Sequence, residues 1–255
     1  MKKDLLMLVR ISVPKFNETL YNDHSLYMNN QTFFRKSELT AGQNDYSEGQ
    51  IANGGVRLFY QKEENDMLVE LHGIEAIHKK SNICVYCMYS VVFNPDQYDQ
   101  KSDTYYHYIP WNFIKEFWTS DECEMLVIRN TSVFLKSFRE AAEREMLSCQ
   151  YGLVQYDLEK EINNPDYFEK SMSDRFLTVF HKNRSYEYQN EFRLAVETQE
   201  EKSHYVLDLG INTGLVIDKM TLIENNGVLI KIHGLRFGLN GNVLSYSNNV
   251  SYSLM

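Results

Sequence analysis

Apolar positions recur along the chain with two periods, and the predicted elements follow from where each one holds. Leu5–Val13 is an apolar run interrupted by Arg10 and predicts a first strand. Gln31–Ser37 predicts a short second strand, and Val56–Tyr60 and Met67–Leu71 two more. Between them Leu39–Asn53 reads as loop, with Gly42 and Gly49 inside it and Gly54–Gly55 beyond. Asn82–Phe93 carries Ile83, Val85, Val91, Val92 and Phe93 among Cys and Tyr, the profile of a buried strand. Asp96–Tyr108 is polar and tyrosine-rich and reads as loop, after which Pro110 opens a short helix through Trp118. Glu124–Arg129 predicts a strand. Thr131 to about Leu147 predicts a helix whose stripe is Phe134, Leu135, Phe138, Ala141, Ala142 and Leu147. Gly152–Tyr156 predicts another strand. Asn164–Pro165 caps a second helix, in which Phe168, Met172, Phe176 and Phe180 repeat every four residues.

The longest alternation is Tyr186–Val196. One face carries Tyr186, Tyr188, Asn190, Phe192, Leu194 and Val196; the other carries Glu187, Gln189, Glu191 and Arg193. Such a pattern predicts a half-buried strand with one wet face, and a plain sheet edge satisfies it fully. Beyond it the chain predicts Tyr205–Leu209, Met220–Glu224, Val228–Ile232 and a last hairpin turning at Asn240–Gly241. The class is α+β and strand-rich, with two or three helices inserted among the strands.

Composition narrows the picture in a few respects. At 255 residues with four Pro, and with no repeat or low-complexity tract, residues 1–255 read as a single domain. The apolar start Leu5–Val9 is cut short by Arg10, and there is no run long enough to span a membrane. The four Cys (84, 87, 123 and 149) have no framework spacing, which points to a reducing cytoplasm. Cys84 and Cys87 form one Cys-x-x-Cys without a second pair, which reads as two core thiols, and the seven scattered His suggest no metal site. A net charge of −9 disfavours non-specific nucleic-acid binding, although a local basic site or a basic protein partner is compatible with it.

The Gln189-x-Glu191 spacing places an amide and a carboxylate side by side on one predicted face, after the partly basic stretch His181–Ser185. In this layout the chain resembles the catalytic Gln-x-Glu strand of the ADP-ribosyltransferases. It also resembles, over roughly residues 20–200, a bacterial family with three scattered motifs. These are matched here by Asn44-Asp45-Tyr46-Ser47-Glu48, Cys87-Met88-Tyr89-Ser90 and Tyr188-Gln189-Asn190-Glu191-Phe192-Arg193. Two departures stand out: the first motif lacks the family's Pro, and Gln189 replaces its usual first Glu.

The resemblance implies an ADP-ribosyltransferase-like split antiparallel sheet and a mono-ADP-ribosyltransferase using NAD as substrate. Glu191 would stabilise the oxocarbenium-like ribose formed as the nicotinamide–ribose bond breaks, and Gln189 would orient the acceptor. Arg35, between apolar residues of an early strand, would grip the cofactor with its planar charged fork. Ser90 would prop the nicotinamide pocket, with Tyr86 and Tyr89 as alternatives that stack on nicotinamide. Lys182, Arg184 and Tyr186 would recognise the acceptor, Arg184 meeting phosphate and Tyr186 or Phe180 a base. A solvated helix end explains Lys182 and Arg184 equally well. RNA is the favoured acceptor, with DNA or protein as alternatives and water in the case of a glycohydrolase. Toxins of this kind occur in phage-defence systems, and as one of them the chain would need a neutralising partner, an antitoxin or a chaperone. The competing reading is a non-catalytic binding or sensor module, in which Arg35, Ser90 and Glu191 would not converge on one cleft.

Overall fold

The computed structural model describes residues 4–35, 45, 47–53, 57–62, 65–70, 76–78, 81–118, 122–210, 214–238, 240, 242–247 and 249–255. Lys36–Ser37, Leu39–Asn44, Tyr46, Gly54–Val56, Leu71 and Gly241 lie outside these residues. The main strands are β1 (Leu5–Ser12), β2 (Ser25–Asn30), β3 (Ile83–Val92), β4 (Thr104–Ile109), β5 (Glu124–Ile128) and β6 (Ser148–Leu153). After them come β7 (Glu191–Glu197), β8 (His204–Asp208), β9 (Ile217–Thr221), β10 (Val228–His233) and β11 (Val250–Leu254). The helices are α1 (Pro14–Tyr21), α2 (Trp111–Ile114), α3 (Thr131–Arg144), α4 (Leu158–Glu161) and α5 (Pro165–Ser173).

The result is an α+β fold whose strands pair antiparallel. The larger sheet runs β6-β7-β3-β1-β5-β9, and β2 pairs with both β3 and β8. A smaller sheet, β11-β10-β4 with Tyr98–Asp99 at its edge, covers one face of it. Met7, Val9, Ile11, Val91, Met125 and Val127 meet Tyr105, Ile109, Val228 and Ile230 in that interlayer. On the opposite face Leu8, Tyr86, Met88, Leu126 and Leu194 pack under Phe134, Phe138, Ala141 and Ala142 of α3. The alternation along each strand thus supplies two cores, one per face.

The sheet opens beside β3. Its last residues pair with β1 (Val9 opposite Tyr89) and its first with β2 (Asn29 opposite Val85). Between those points β1 and β2 diverge and leave a notch along residues 86–88 of β3, while β7 runs unbroken along the other side. The sequence foresaw β1, β3, β5, α2, α3 and β10 closely. It misplaced others for identifiable reasons. Gln31–Arg35 is a 3-10 helix and not a strand, because the Asn30 side chain accepts from the Thr32 N–H and turns the chain there. Asp96–Tyr108 contains β4, whose Tyr105 and His107 point inward between exposed Tyr106 and Tyr108. α5 stops at Ser173. It buries Tyr167 and Ser171 and leaves Met172 exposed, so the four-residue repeat was a drifting pattern and Phe180 belongs to a separate 3-10 turn. Gly152–Tyr156 and Met220–Glu224 were each set a few residues late.

Candidate functional site

The segment before β7 departs most from the expected strand. Arg184–Gln189 is a 3-10 helix, Asn190 takes the left-handed conformation (φ 41°), and only from Glu191 does the chain become β. Asn is among the few residues that enter this region at modest cost. Its carbonyl then accepts from both the N–H and the hydroxyl of Ser90, at 2.8 and 2.6 Å. This clamp fixes where β7 starts. The polar face of β7 is not wet: Glu191 and Arg193 are 8% and 1% exposed. Val179 of the 3-10 turn at Leu177–Phe180 and Glu48 lie against it, and its charges pair with one another.

Register places these side chains together. Glu191 is opposite Tyr89 and Arg193 opposite Cys87, so all four stand on one face of the sheet beside the notch. Arg193 donates to both oxygens of Glu48 (2.8 and 2.9 Å), to Glu191 Oε1 (2.8 Å) and to the Val179 carbonyl (2.5 Å). Lys182 Nζ donates to Glu191 Oε2 (3.1 Å) and Gln189 Oε1 (2.8 Å) and lies 3.7 Å from Asp45 Oδ2. Gly49, at φ 74°, lets the chain turn directly after Glu48, and Gln31 steadies Glu48 from behind at 3.1 Å.

Two cations and three carboxylates therefore share one water-poor site. Burial pushes the Glu191 carboxyl up, but Arg193 and Lys182 outweigh it, helped by hydrogen bonds from Arg193 and the Cys87 thiol. The group is held well below the ordinary carboxylate range. Burial and neighbouring Glu48 raise Asp45 to about 6, against the pull of Lys182 and Arg193. The Cys87 thiol is pushed up by burial and by Glu191, so it remains a donor and not a thiolate.

A cavity of about 250 Å³ opens over this face. Lys182, Gln189, Glu191 and Arg193 form its polar end, Tyr89 and Cys87 its floor, and Phe33, Phe34, Phe113 and Phe117 its aromatic walls. Tyr86 and Arg10 reach it at the notch. Arg10 donates to the Cys87 carbonyl (2.7 Å) and lies 4.8 Å over the Tyr86 ring. Its Nε is buried without a hydrogen-bond partner, and no described carboxylate pairs with it. Arg10 is thus a guanidinium with unspent donor capacity on a pocket wall.

The expected residues divide accordingly. Glu191, Gln189, Tyr86, Tyr89 and Lys182 converge on the cavity. Lys182 is buried in the ion network, which removes the solvated-helix-end reading. Tyr186 lies at the network's edge, its ring 4.5 Å from Lys182 Nζ. Arg35 stands on the 3-10 helix and is not among the residues that line the cavity, whereas its neighbours Phe33 and Phe34 are. Ser90 does not line the cavity either and is spent on Asn190. Arg184 is exposed and faces Glu187 at 3.6 Å. His107 is buried behind Tyr89, 2.8 Å from its hydroxyl, and held near pKa 4 by burial. The sequence reading missed Arg10, Asp45, Glu48 and Arg193 as site residues. Arg10 carried a signal, a charge inside an otherwise apolar strand. Among the described residues no cluster could hold a metal ion, and no helix is long and apolar enough to cross a membrane. Compared with family models, curated proteins and solved structures, the chain matches none.

Proposed function

We propose that this pocket cleaves NAD at the nicotinamide–ribose bond and passes the ADP-ribosyl group to an acceptor, with RNA favoured. The observation that carries the reading is the ionised Glu191 carboxylate on the wall of an aromatic-lined, water-poor cavity, held there by Arg193 and Lys182. A fixed negative charge in such a site stabilises a developing ribosyl cation more strongly than it could in water. As the glycosidic bond breaks, its electron pair leaves with nicotinamide, the anomeric carbon becomes cationic beside Glu191, and an acceptor oxygen or nitrogen closes the new bond and releases a proton.

The residues suit this substrate. Tyr89, Phe113 and Phe117 offer faces to a nicotinamide ring. Arg10, with its unpartnered Nε, takes the role of diphosphate arm that Arg35 was expected to fill. At about 250 Å³ the cavity lies at the small end of ligand pockets, so it accommodates one end of a dinucleotide and leaves the rest at the mouth. The notch where β1 and β2 part supports the split-sheet, ADP-ribosyltransferase-like reading of the fold. Gln189, bonded to Lys182, positions the acceptor side. Function as a phage-defence toxin held by an antitoxin or chaperone belongs to the same reading and rests on the resemblance alone, and a cytoplasmic location rests on the unframed cysteines.

Two observations favour a non-catalytic binding pocket instead. Arg35 and Ser90 do not line the cavity with Glu191, as that reading expected. Both Glu191 oxygens are already engaged, so the carboxylate also satisfies a purely structural role. Incubation with adenylate-labelled NAD and, separately, RNA, DNA and cell protein separates the two. Label in RNA supports the proposal in full, and label in DNA or protein keeps the chemistry and discards the acceptor. No label and no free nicotinamide, with any inhibiting partner removed, would leave the binding module.

A further inference from the structure

Three aromatic rings form a row at the outer rim of the pocket, and the chemistry above uses none of them. Phe16 of α1 lines the cavity yet is 46% exposed. Tyr27 of β2, also on the lining, lies 6.1 Å from it at a 38° tilt. Tyr27 in turn stacks on exposed His204 of β8, with centroids 4.7 Å apart and planes within 16°. Register explains the row. His204 is opposite Asn29 and Val206 opposite Tyr27, while Asn29 is opposite Val85. All of them therefore stand on the face that carries Glu191. Val206 is 50% exposed, so an apolar, largely aromatic floor continues from the pocket across β2 to β8.

Exposed aromatic surface of this kind carries a standing cost in water. Its geometry selects what would cover it: two near-parallel rings in a row present π faces that a planar heterocycle extends, the arrangement by which sheet surfaces hold unpaired bases. We propose that Phe16, Tyr27 and His204 form a stacking subsite for an unpaired nucleobase of a single-stranded RNA acceptor. Its place in catalysis rests on the NAD-cleaving reading of the pocket, but the binding it asserts needs no NAD. Exposed Lys15 and Lys202 flank the row in sequence, and Glu200 and Glu201 adjoin Lys202. Stacking and not charge therefore carries the affinity, and the salt dependence is shallow.

The test is a titration of the full chain into a short fluorescein-labelled single-stranded RNA, followed by anisotropy, with the duplex of the same sequence in parallel. Phe16→Ala and His204→Ala both truncate exposed side chains, and far-UV circular dichroism confirms that each variant is folded. Each is expected to weaken single-strand binding roughly five- to hundredfold, and the duplex to bind at least about tenfold more weakly than the single strand. Absence of binding, equal binding by both variants, or equal affinity for the duplex would overturn the subsite. Nicotinamide release without RNA binding would do so and leave the pocket's chemistry standing. RNA binding weakened by both variants, without nicotinamide release, would uphold the subsite and remove the NAD reading.

Discussion

Removing the Arg193 guanidinium tests whether the buried charges act as one unit. Arg193→Met keeps a side chain of similar length in a space where the native one is 1% exposed. It takes from buried Glu48, whose side chain is 0% exposed, the guanidinium that donates to both of its oxygens, and it takes from Glu191 one of its two cations. Lys182 is then left against three carboxylates. Breaking a buried pair by removing one partner costs about 3–5 kcal/mol, because the uncompensated charge stays in place. Domains of this kind have about 5–15 kcal/mol in total, so roughly a fifth or more of the stability goes. Urea unfolding followed by far-UV circular dichroism, extrapolated linearly, measures it. The same logic predicts partial rescue: adding Glu48→Gln removes one buried negative charge from a site that has lost a cation, so the double variant is more stable than Arg193→Met alone. A loss below about 1 kcal/mol, or a double variant whose cost is the sum of the two singles, would refute the claim that these groups are coupled.

Two further outcomes follow from the same site. Asp45, raised to about 6 from an ordinary 3.8, keeps its proton in the fold after the unfolded chain has released it. Stability contributed at this position therefore falls as pH rises from about 4 to about 6, and Asp45→Asn flattens that part of the stability–pH curve; an unchanged slope counts against the assignment. Asn190→Ala keeps the backbone bonds to Ser90 but puts a less tolerant residue at φ 41°. It should cost about 1–2 kcal/mol by thermal or urea unfolding, with Asn190→Gly milder, and equal stability of all three would remove the strain argument.

How far the sequence carried depended on whether an element's pattern came from its own core. β1, β3 and α3 bury regular apolar stripes, so periodicity located them. β7 was found for a partly mistaken reason. Its polar face looked wet because Glu191 and Arg193 alternate with apolar residues, yet those charges are buried against Lys182, outside the strand, and Glu48, distant in sequence. No window of periodicity reveals that pairing. The same limit hid the turn at Asn190, since nothing local distinguishes an Asn inside an alternation from one that ends it. Glu191, Gln189, Lys182, Tyr86 and Tyr89, singled out from the Gln-x-Glu spacing, the basic stretch before it and the central strand, all line the cavity. Arg35 was given the cofactor role from its place in an apparently regular early strand, and Arg10 was read only as the break in the apolar run Leu5–Val9. The Asn30 side chain cancels that strand, and Arg10, in a strand that survives, reaches the cavity.

The most direct test of the account is nicotinamide release from NAD by the purified chain, compared with Glu191→Gln. The amide keeps the shape of the carboxylate and removes its charge, and circular dichroism shows whether the variant remains folded. The account predicts release by the native chain and a loss of about a hundredfold or more in the folded variant, on the scale of removing one principal electrostatic stabiliser. Release by a folded Glu191→Gln protein at the native rate would contradict the role assigned to Glu191.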